Sequence, residues 1–247
     1  MQRAALSGEL AQREQLSAWE AALVASGLPV AGLDLPKPKA RMAIAAPLSA
    51  GIPGEAELVD VWLVERLPRW RVREALVERL PAGISLVDLH DVWLGEPPLP
   101  GRVTASVYRA EIGPEVPTER LAHAALALLA APTLPRERVR GESTVSYDLR
   151  PFLGDLAVAP EPDGGSVLRM TLRHDPAKGV GRPDETLLAL AAAMGVAPFA
   201  PRALAREALV VAEPPPPEPP APRAARRPPA LRASSDSPPR PGSPGRH

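Results

Sequence analysis

The sequence predicts an α+β fold, and three observations lead to that prediction. Two stretches of alternating and helically spaced apolar residues follow each other, a proline-rich joint at 97–101 separates them, and a proline-rich segment begins at Pro214. Each apolar stretch has the order strand, helix, strand, strand, helix, strand, which is the ferredoxin-like βαββαβ unit. We therefore expect two tandem ferredoxin-like (βαββαβ) domains, at 1–96 and 102–212, and a disordered proline-rich C-terminal tail at 213–247.

The first half contains all six elements of one such unit. They are expected as a strand at 2–6, a helix at 12–26, strands at 42–48 and 57–64, a helix at 70–80 and a strand at 85–93. Leu16, Trp19 and Leu23 recur at the spacing of one helix face, and Gly27 follows where helices commonly end. A turn rich in glycine and proline at 51–54 separates the apolar runs of the two central strands.

The second half repeats this element order without obvious residue identity. It is expected to contain a strand at 104–112, a helix at 118–130, strands at 138–149 and 166–173, a helix at 182–194 and a strand at 204–211. Thr118 is a residue type that caps helix N-termini. Pro183, Asp184 and Glu185 suit the first turn of the last helix, and Gly195 lies just past its end.

Composition narrows the classes of function. The formal net charge is zero, but the segment from Pro214 holds six arginines and only two acids, so it carries +4 and the remainder carries −4. A mildly acidic body is not typical of a dedicated nucleic-acid binder, whose positive charge gathers in the folded part. The chain has no cysteine, which excludes disulfides, zinc–thiolate sites, cysteine-bound iron–sulfur clusters and cysteine nucleophiles.

The remaining compositional properties concern the location of the protein in the cell and the disorder of its tail. No apolar run approaches the ~20 residues of a membrane span, and the first residues lack the apolar segment of a signal peptide. The excess of Ala, Leu, Arg and Pro over Lys is typical of a GC-rich bacterial genome. We expect a cytoplasmic protein that does not associate with membranes and needs no metal or cofactor. The tail has too few apolar groups to offset the entropy of ordering, which predicts disorder.

Six segments carry a resemblance to a known family. They are WEAALVASGLPV at 19–30, AIAAPLSAGIPGEAELVDVWL at 43–63, LPAGISLVDLHDV at 80–92, ASVYRAEI at 105–112, GESTVSYDLRPFLGDL at 141–156 and GRPDETLLAL at 181–190. With these segments in this order, the chain resembles the radical SAM-linked protein family, a bacterial domain of unknown function often encoded beside, or fused to, radical SAM proteins. The resemblance covers about residues 10–211 and implies a radical SAM protein as partner.

Two stretches depart from the pattern of that family. The family usually carries Ser-His-Leu-Asp at the start of its first helix, where this chain has Ala11, Gln12, Arg13 and Glu14. The loop at 32–39 keeps only the basic character of the corresponding family loop. The resemblance therefore describes a divergent member.

Three cations near that loop, Lys37, Lys39 and Arg41, are a candidate contact for RNA or another anion. Tandem ferredoxin-like domains occur in RNA-processing proteins such as CRISPR endoribonucleases and in RNA-recognition modules. RNA-recognition modules, however, stack bases on sheet aromatics, and aromatic residues make up 3% of this chain, with Trp62 and Tyr108 in expected strands. Spaced cations are more often a solvated turn, and both interpretations stay open.

Two groups of polar residues within the resembling segments are interpreted as structural. The groups are Asp148, Arg150 and Pro151, and Arg182, Pro183 and Asp184. Arg150 is expected to pair with Asp148 or Asp155 and so to fix the end of a strand. The other group opens a helix whose backbone donors attract anions, but Asp184 and Glu185 would repel an anion there.

No residue is assigned a catalytic role from the sequence. His90, His123 and His174 show no metal-ligand spacing, and no nucleophile-elbow motif is present. We therefore expect a non-catalytic accessory or adaptor protein that presents RNA or another macromolecular substrate to a radical SAM partner. The alternative is an RNA-binding or RNA-processing protein of the tandem ferredoxin-like type. A third possibility is a scaffolding protein that covers exposed apolar surface by forming a homodimer.

Overall fold

The computed structural model describes residues 2–8, 12–49, 51–93, 95–140 and 143–213. The α+β class is confirmed, because strands form the core of these residues and four helices accompany them. The disorder expected for the tail concerns residues that, apart from Glu213, lie outside the described residues. The two-domain division at 97–101 and the tandem ferredoxin-like arrangement remain predictions.

The described residues form eleven strands and four α-helices. The strands are Gln2–Gly8 (β1), Met42–Ile44 (β2), Gly54–Val61 (β3), Ser85–Asp91 (β4), Val103–Ile112 (β5), Pro135–Arg140 (β6), Ser143–Asp148 (β7), Leu153–Pro160 (β8), Ser166–Asp175 (β9), Gly179–Val180 (β10) and Ala203–Val211 (β11). The helices are Gln12–Ala25 (α1), Arg69–Val77 (α2), Thr118–Ala130 (α3) and Pro183–Met194 (α4). One 3-10 turn lies at Arg150–Phe152.

The strands of both halves join into a single nine-stranded sheet. In the first half the antiparallel order is β4-β1-β3-β2. In the second half it is β11-β5-β9, with β8 and β10 both on the outer edge of β9. The halves meet where β11 runs parallel to the start of β3, with Arg206 opposite Gly54. The hairpin β6–β7 forms a separate two-stranded sheet.

The first half has a core of its own, and its helical periodicity was readable in the sequence. Trp19 and Leu23 of α1, Val72 and Leu76 of α2, and Val59 of β3 are all almost completely buried in one cluster. Each such side chain contributes about 1.5–3 kcal/mol when it leaves water. The amphipathic pattern therefore places both helices against the sheet.

The second half has a separate apolar core, built by α3, α4 and the strands β5, β8 and β9. Leu121, Leu190 and Met170 are completely buried there. Gly195 ends α4 with φ 66°, as the sequence predicts, because glycine adopts this left-handed conformation without steric cost. The start of α3 differs from expectation: Thr118 is the first helical residue, and the N-cap is Pro117, which has no side-chain acceptor.

The predicted strand at 138–149 is wrong. The chain instead folds into the antiparallel hairpin β6–β7, in which Arg140 is paired with Ser143. The alternation of apolar and polar residues is the same in one long strand and in two arms of a hairpin, so the pattern did not reveal the reversal. The sequence pattern does not predict strand β8, because Pro151, Gly154 and Pro160 interrupt its apolar residues.

The proline-rich joint at 97–101 is packed against the fold. The side chain of Leu99 is completely buried, and its N–H donates to the carboxylate of Asp60 at 2.9 Å. Arg102, directly after the joint, donates to the carbonyl of Ala212 at 2.8 Å and to Glu96 at 2.5 Å. The joint is therefore a structural connection between β3, β5 and the end of β11.

Candidate functional site

A cavity of about 740 Å³ lies in the second half between the hairpin β6–β7, the 3-10 turn and the segment from β10 to the start of α4. We call it the hairpin pocket. Val145, Phe152 and Val180 supply apolar lining. Its polar lining residues are Arg138, Tyr147, Asp148, Lys178, Arg182 and Glu185. The pocket therefore brings together two sequence segments that the resemblance had singled out separately, YDLRPF and GRPDE.

Asp148 lines the hairpin pocket, and Arg150 lies two residues further along the same segment. The Asp148 carboxylate accepts the backbone N–H groups of Leu134 at 2.7 Å and Arg150 at 3.0 Å. These bonds, from Leu134 first and Arg150 second, lower the pKa of Asp148, which stays ionised at neutral pH. Asp148 thus fixes the end of β7 to the segment that precedes β6.

The guanidinium of Arg150 donates to backbone carbonyls. It reaches Leu129 at 2.7 Å, Ala131 at 3.1 Å and Leu153 at 3.0 Å. The first two carbonyls end helix α3, where the backbone lacks partners of its own, and the third begins β8. The expected side-chain pairing with Asp148 or Asp155 is therefore replaced by a bond between a helix end and a strand start. Pro151 sets the first turn of the 3-10 segment.

Arg182, Pro183 and Asp184 form the start of α4 beside the hairpin pocket. Arg182 donates from Nε to Asp184 at 3.1 Å and from Nη2 at 2.7 Å, which raises the pKa of the Arg182 guanidinium. Although burial acts in the opposite direction, the hydrogen bond from Arg182 lowers the pKa of Asp184. Pro183 is a buried first-turn residue, where its missing N–H costs nothing.

The side chain of Glu185 and the phenol oxygen of Tyr147 are polar groups of the hairpin pocket that are shielded from solvent. Glu185 is only 7% exposed. The phenol oxygen of Tyr147 is shielded from solvent and has no hydrogen-bond partner of ordinary geometry among the described residues. Burial, and then the nearby Glu185 carboxylate, raise the pKa of Tyr147 to about 12, so the phenol stays protonated at physiological pH. The carboxylate influences the phenol without reaching good hydrogen-bond geometry.

The basic residues Lys37, Lys39 and Arg41 lie in the first half, between α1 and β2, and do not line the hairpin pocket. All three are exposed. Arg41 and Trp62 are backbone neighbours, with the Trp62 N–H donating to the Arg41 carbonyl at 3.1 Å, and the guanidinium lies 4.9 Å from the centre of the indole ring. This distance is within the range of a cation–π contact.

A serine–histidine contact was not visible in the sequence, because 68 residues separate its members. Ser106 Oγ of β5 lies 2.9 Å from Nε2 of His174 on the neighbouring strand β9. Burial, and then the charge of Arg206, lower the pKa of His174, so the imidazole is neutral at pH 7. Ser106 is completely buried and cannot meet a substrate, so the contact stabilises the sheet.

A buried ion pair fixes the two halves to each other. Arg206 of β11 is 1% exposed and donates from Nε to Glu57 of β3 at 2.7 Å, and from Nη2 to the other carboxylate oxygen. The same guanidinium donates to the carbonyls of Ala46 at 3.1 Å and Pro47 at 2.9 Å. The planar fork of arginine matches the carboxylate bidentately.

Two further observations concern metal binding and membrane-spanning helices. Within the described ranges, no three His, Asp or Glu side chains converge as a metal site. No helix in the part of the chain that the structure describes has the length and apolarity to cross a bilayer.

These features define an α+β protein whose halves share one sheet and whose second half encloses a pocket of small-molecule size. Residues 10–181 match the model of a family described as an uncharacterized protein conserved in bacteria, DUF2344. The chain belongs to this family. No curated protein matches it.

Proposed function

We propose that the chain is a non-catalytic accessory or adaptor protein that works in the bacterial cytoplasm beside a radical SAM protein, to which it presents RNA or another macromolecular substrate. The radical SAM partner is inferred from the sequence resemblance. The main support for a non-catalytic role is that side chains of the types that often act in catalysis make structural contacts here. Ser106 and His174 are paired within the sheet, and Asp148 and Arg150 hold backbone groups.

The pKa directions agree with this proposal. The pKa values of three described carboxylates, Asp148, Asp163 and Asp184, are lowered. These carboxylates stay ionised at neutral pH and are poor proton donors there. These residues are therefore suited to holding structure rather than to general acid catalysis.

The alternative, an RNA-binding or RNA-processing protein of the tandem ferredoxin-like type, is favoured by the surface at 37–41. Lys37, Lys39 and Arg41 supply exposed cations, and Trp62 supplies an aromatic ring beside one of them. Cations that follow a phosphate backbone and an aromatic ring face are the common elements of single-stranded RNA binding. A homodimer that covers exposed apolar side chains such as Trp70 and Trp93 is a third arrangement.

The tandem ferredoxin-like arrangement itself is part of this proposal, and strand order supports it. The order β4-β1-β3-β2 and the order β11-β5-β9-β8 are both antiparallel, with the first strand of each half inside its sheet. This is the pairing that a βαββαβ unit requires. In the second unit the hairpin β6–β7 would be an insertion between α3 and β8.

The test is capture of partners from the native host at low salt by the full chain, before and after nuclease treatment. The adaptor proposal expects a radical SAM protein to remain bound after nuclease. A defined RNA that is lost in the Lys37→Ala, Lys39→Ala, Arg41→Ala variant would favour the alternative. The matched control is Arg69→Ala, Arg71→Ala, Arg79→Ala, which removes three exposed cations from α2 and its end. Absence of both partners would contradict both proposals.

A further inference from the structure

The hairpin pocket has the dimensions and rigidity of a small-molecule site. Its volume of about 740 Å³ falls within the range of roughly 300–1,000 Å³ that ligand pockets occupy. Its walls are fixed by backbone contacts: Arg150 binds three carbonyls, and Gly181 donates to the carbonyl of Arg173 at 2.9 Å. A Cβ at Gly181 would lie 2.8 Å from Leu172 Cβ and 3.1 Å from the Phe152 carbonyl oxygen, so the chain segments meet closely there.

The inner polar groups of the pocket suit a ligand that carries an N–H donor. Taking a carboxylate out of water is costly unless it is paired with a cation, yet Glu185 is more than nine-tenths buried and the group beside it is the neutral phenol of Tyr147. The phenol oxygen of Tyr147 is shielded from solvent and lacks a hydrogen-bond partner of ordinary geometry among the described residues. An ammonium, amidine or amino N–H group in the pocket would satisfy the carboxylate, and an acceptor beside it would satisfy the phenol.

The outer polar groups suit an anion. Lys178 is exposed at the tip before β10, and Arg138 of β6 is half-buried on the hairpin. Neither forms an ion pair with another described residue, whereas Arg182 is held by Asp184. Phe152, Val145 and Val180 lie among the same lining residues and offer apolar contact.

We propose that the hairpin pocket binds an amphoteric small molecule: an N–H donor group placed against Glu185, an anionic group at Lys178 and Arg138, and an apolar or ring portion against Phe152. Nucleotides and amino acids share this chemistry. This site is independent of the surface at 37–41 and goes beyond the proposed adaptor role.

The test is direct binding by the full chain, measured by calorimetry with two panels at 1 mM. One panel is the four ribonucleoside 5′-monophosphates with their parent nucleosides, and the other is the common amino acids with their amides. A saturable signal with one panel identifies the source of the ligand. Loss of the phosphate or of the free carboxylate should weaken binding at least tenfold. No binding by either panel overturns the proposal.

Two variants separate binding from folding. Glu185→Gln keeps the shape but removes the buried charge, so it should weaken binding at least tenfold while the melting temperature stays equal or rises. A carboxylate that served only structure would lower the melting temperature when replaced. Lys178→Ala, at an exposed position, should fold normally and weaken binding of the anionic ligand but not of its neutral analogue. Arg169→Ala, which removes an exposed cation outside the pocket, is the control. Equal losses of binding in Lys178→Ala and in Arg169→Ala would also contradict the proposed site.

Discussion

Single residues in this molecule act mainly through pairs that are distant in sequence. Glu57 and Arg206 are 149 positions apart, yet their side chains are among the most buried polar groups described. A buried ion pair pays a large desolvation cost, which its bidentate geometry and the two carbonyls on Arg206 offset. What such a pair supplies is a unique register between the strands that carry it.

Removing one partner of this pair should be more damaging than removing both. Arg206→Met is expected to lower the free energy of unfolding by about 3–5 kcal/mol, because Glu57 remains as a buried uncompensated charge. Arg206→Met combined with Glu57→Leu should recover part of that loss. Urea unfolding measures both variants. Arg169→Met is the control, since the ion pair of Arg169 with Glu207 is solvent-exposed on the arginine side and contributes little to stability. Additive losses in the double variant would contradict this account.

The stability of the protein should fall in mild acid because of His174. Burial and the charge of Arg206 lower its pKa in the folded state, so below its ordinary value of about 6.5 the unfolded chain binds the proton more readily. The histidine's contribution is therefore complete above about pH 6.5 and is lost as the pH falls through the lowered folded pKa. Unfolding free energies measured from pH 8 to 5 should show this decline in the wild type.

His174→Gln should remove that part of the decline, while the exposed His123→Gln should leave it unchanged. The amide of glutamine can keep a hydrogen bond near Ser106 without titrating. An identical pH profile in wild type and His174→Gln would show that another group is responsible.

At the scale of elements, helix α3 depends on a side chain that follows it by twenty residues. Arg150 binds the carbonyls of Leu129 and Ala131 at the end of α3, and that of Leu153 at the start of β8. Pro132 ends the helix, because the residue before a proline is pushed out of the helical conformation and Ala131 is extended. Arg150 then supplies donors to carbonyls that have no helical partner at this end. The helix, the hairpin and β8 are thus joined at one guanidinium.

Arg150→Lys should be a disruptive change despite the kept charge. An ammonium cannot reach three carbonyls that diverge around a planar fork, so at least one part-buried carbonyl loses its donor at a cost of about 1–3 kcal/mol. Hydrogen exchange should accelerate in the last turn of α3 and at the start of β8, and remain unchanged in α1. Arg120→Lys, which replaces an arginine with a single bond to the Met194 carbonyl, is the matched control.

Elements with long, single-period patterns were predictable, and elements that depend on chain reversal were not. The spacing of Leu121, Leu126 and Leu129 predicted α3 to its last residue, because a helix face repeats every 3.6 residues. The buried face is nevertheless centred on Leu121 and Leu128, and Leu126 is exposed. The β6–β7 hairpin was not predicted, because the alternation of apolar and polar residues does not change when a strand turns back on itself. The polar residues of the hairpin pocket are visible individually in the sequence, but the buried Glu185 and the half-buried Tyr147 are brought together only by tertiary packing.

At the scale of the whole molecule, strand β11 holds the two halves together. It is antiparallel to β5 along its length and parallel to β3 at Arg206. The halves have separate apolar clusters. They are connected by this strand, by the contacts of Arg206 and Arg102, by the hydrogen bond from Leu99 to Asp60, and by Ile52, which packs against the second cluster. The stability of each half is therefore coupled to the other through these contacts.

Native aromatic residues allow this coupling to be measured. All four tryptophans, at 19, 62, 70 and 93, are in the first half, and both tyrosines, Tyr108 and Tyr147, are in the second. Tryptophan fluorescence and far-UV circular dichroism should give the same urea midpoint in the wild type. In Arg206→Met the two midpoints should separate, because the connection between the cores is weakened. A common midpoint in that variant would mean that the halves are coupled by other contacts.

The position of β11 in the chain has a consequence for protein synthesis. The edge of β3 that β11 covers near Gly54 is made about 150 residues before its partner. At an elongation rate of roughly 5–20 residues per second this is a delay of about 8 to 30 seconds. During this interval the nascent first half holds Glu57 without Arg206. An incomplete polypeptide on the ribosome is therefore the state most exposed to mispairing, and chaperone dependence should be greatest before residue 211 emerges.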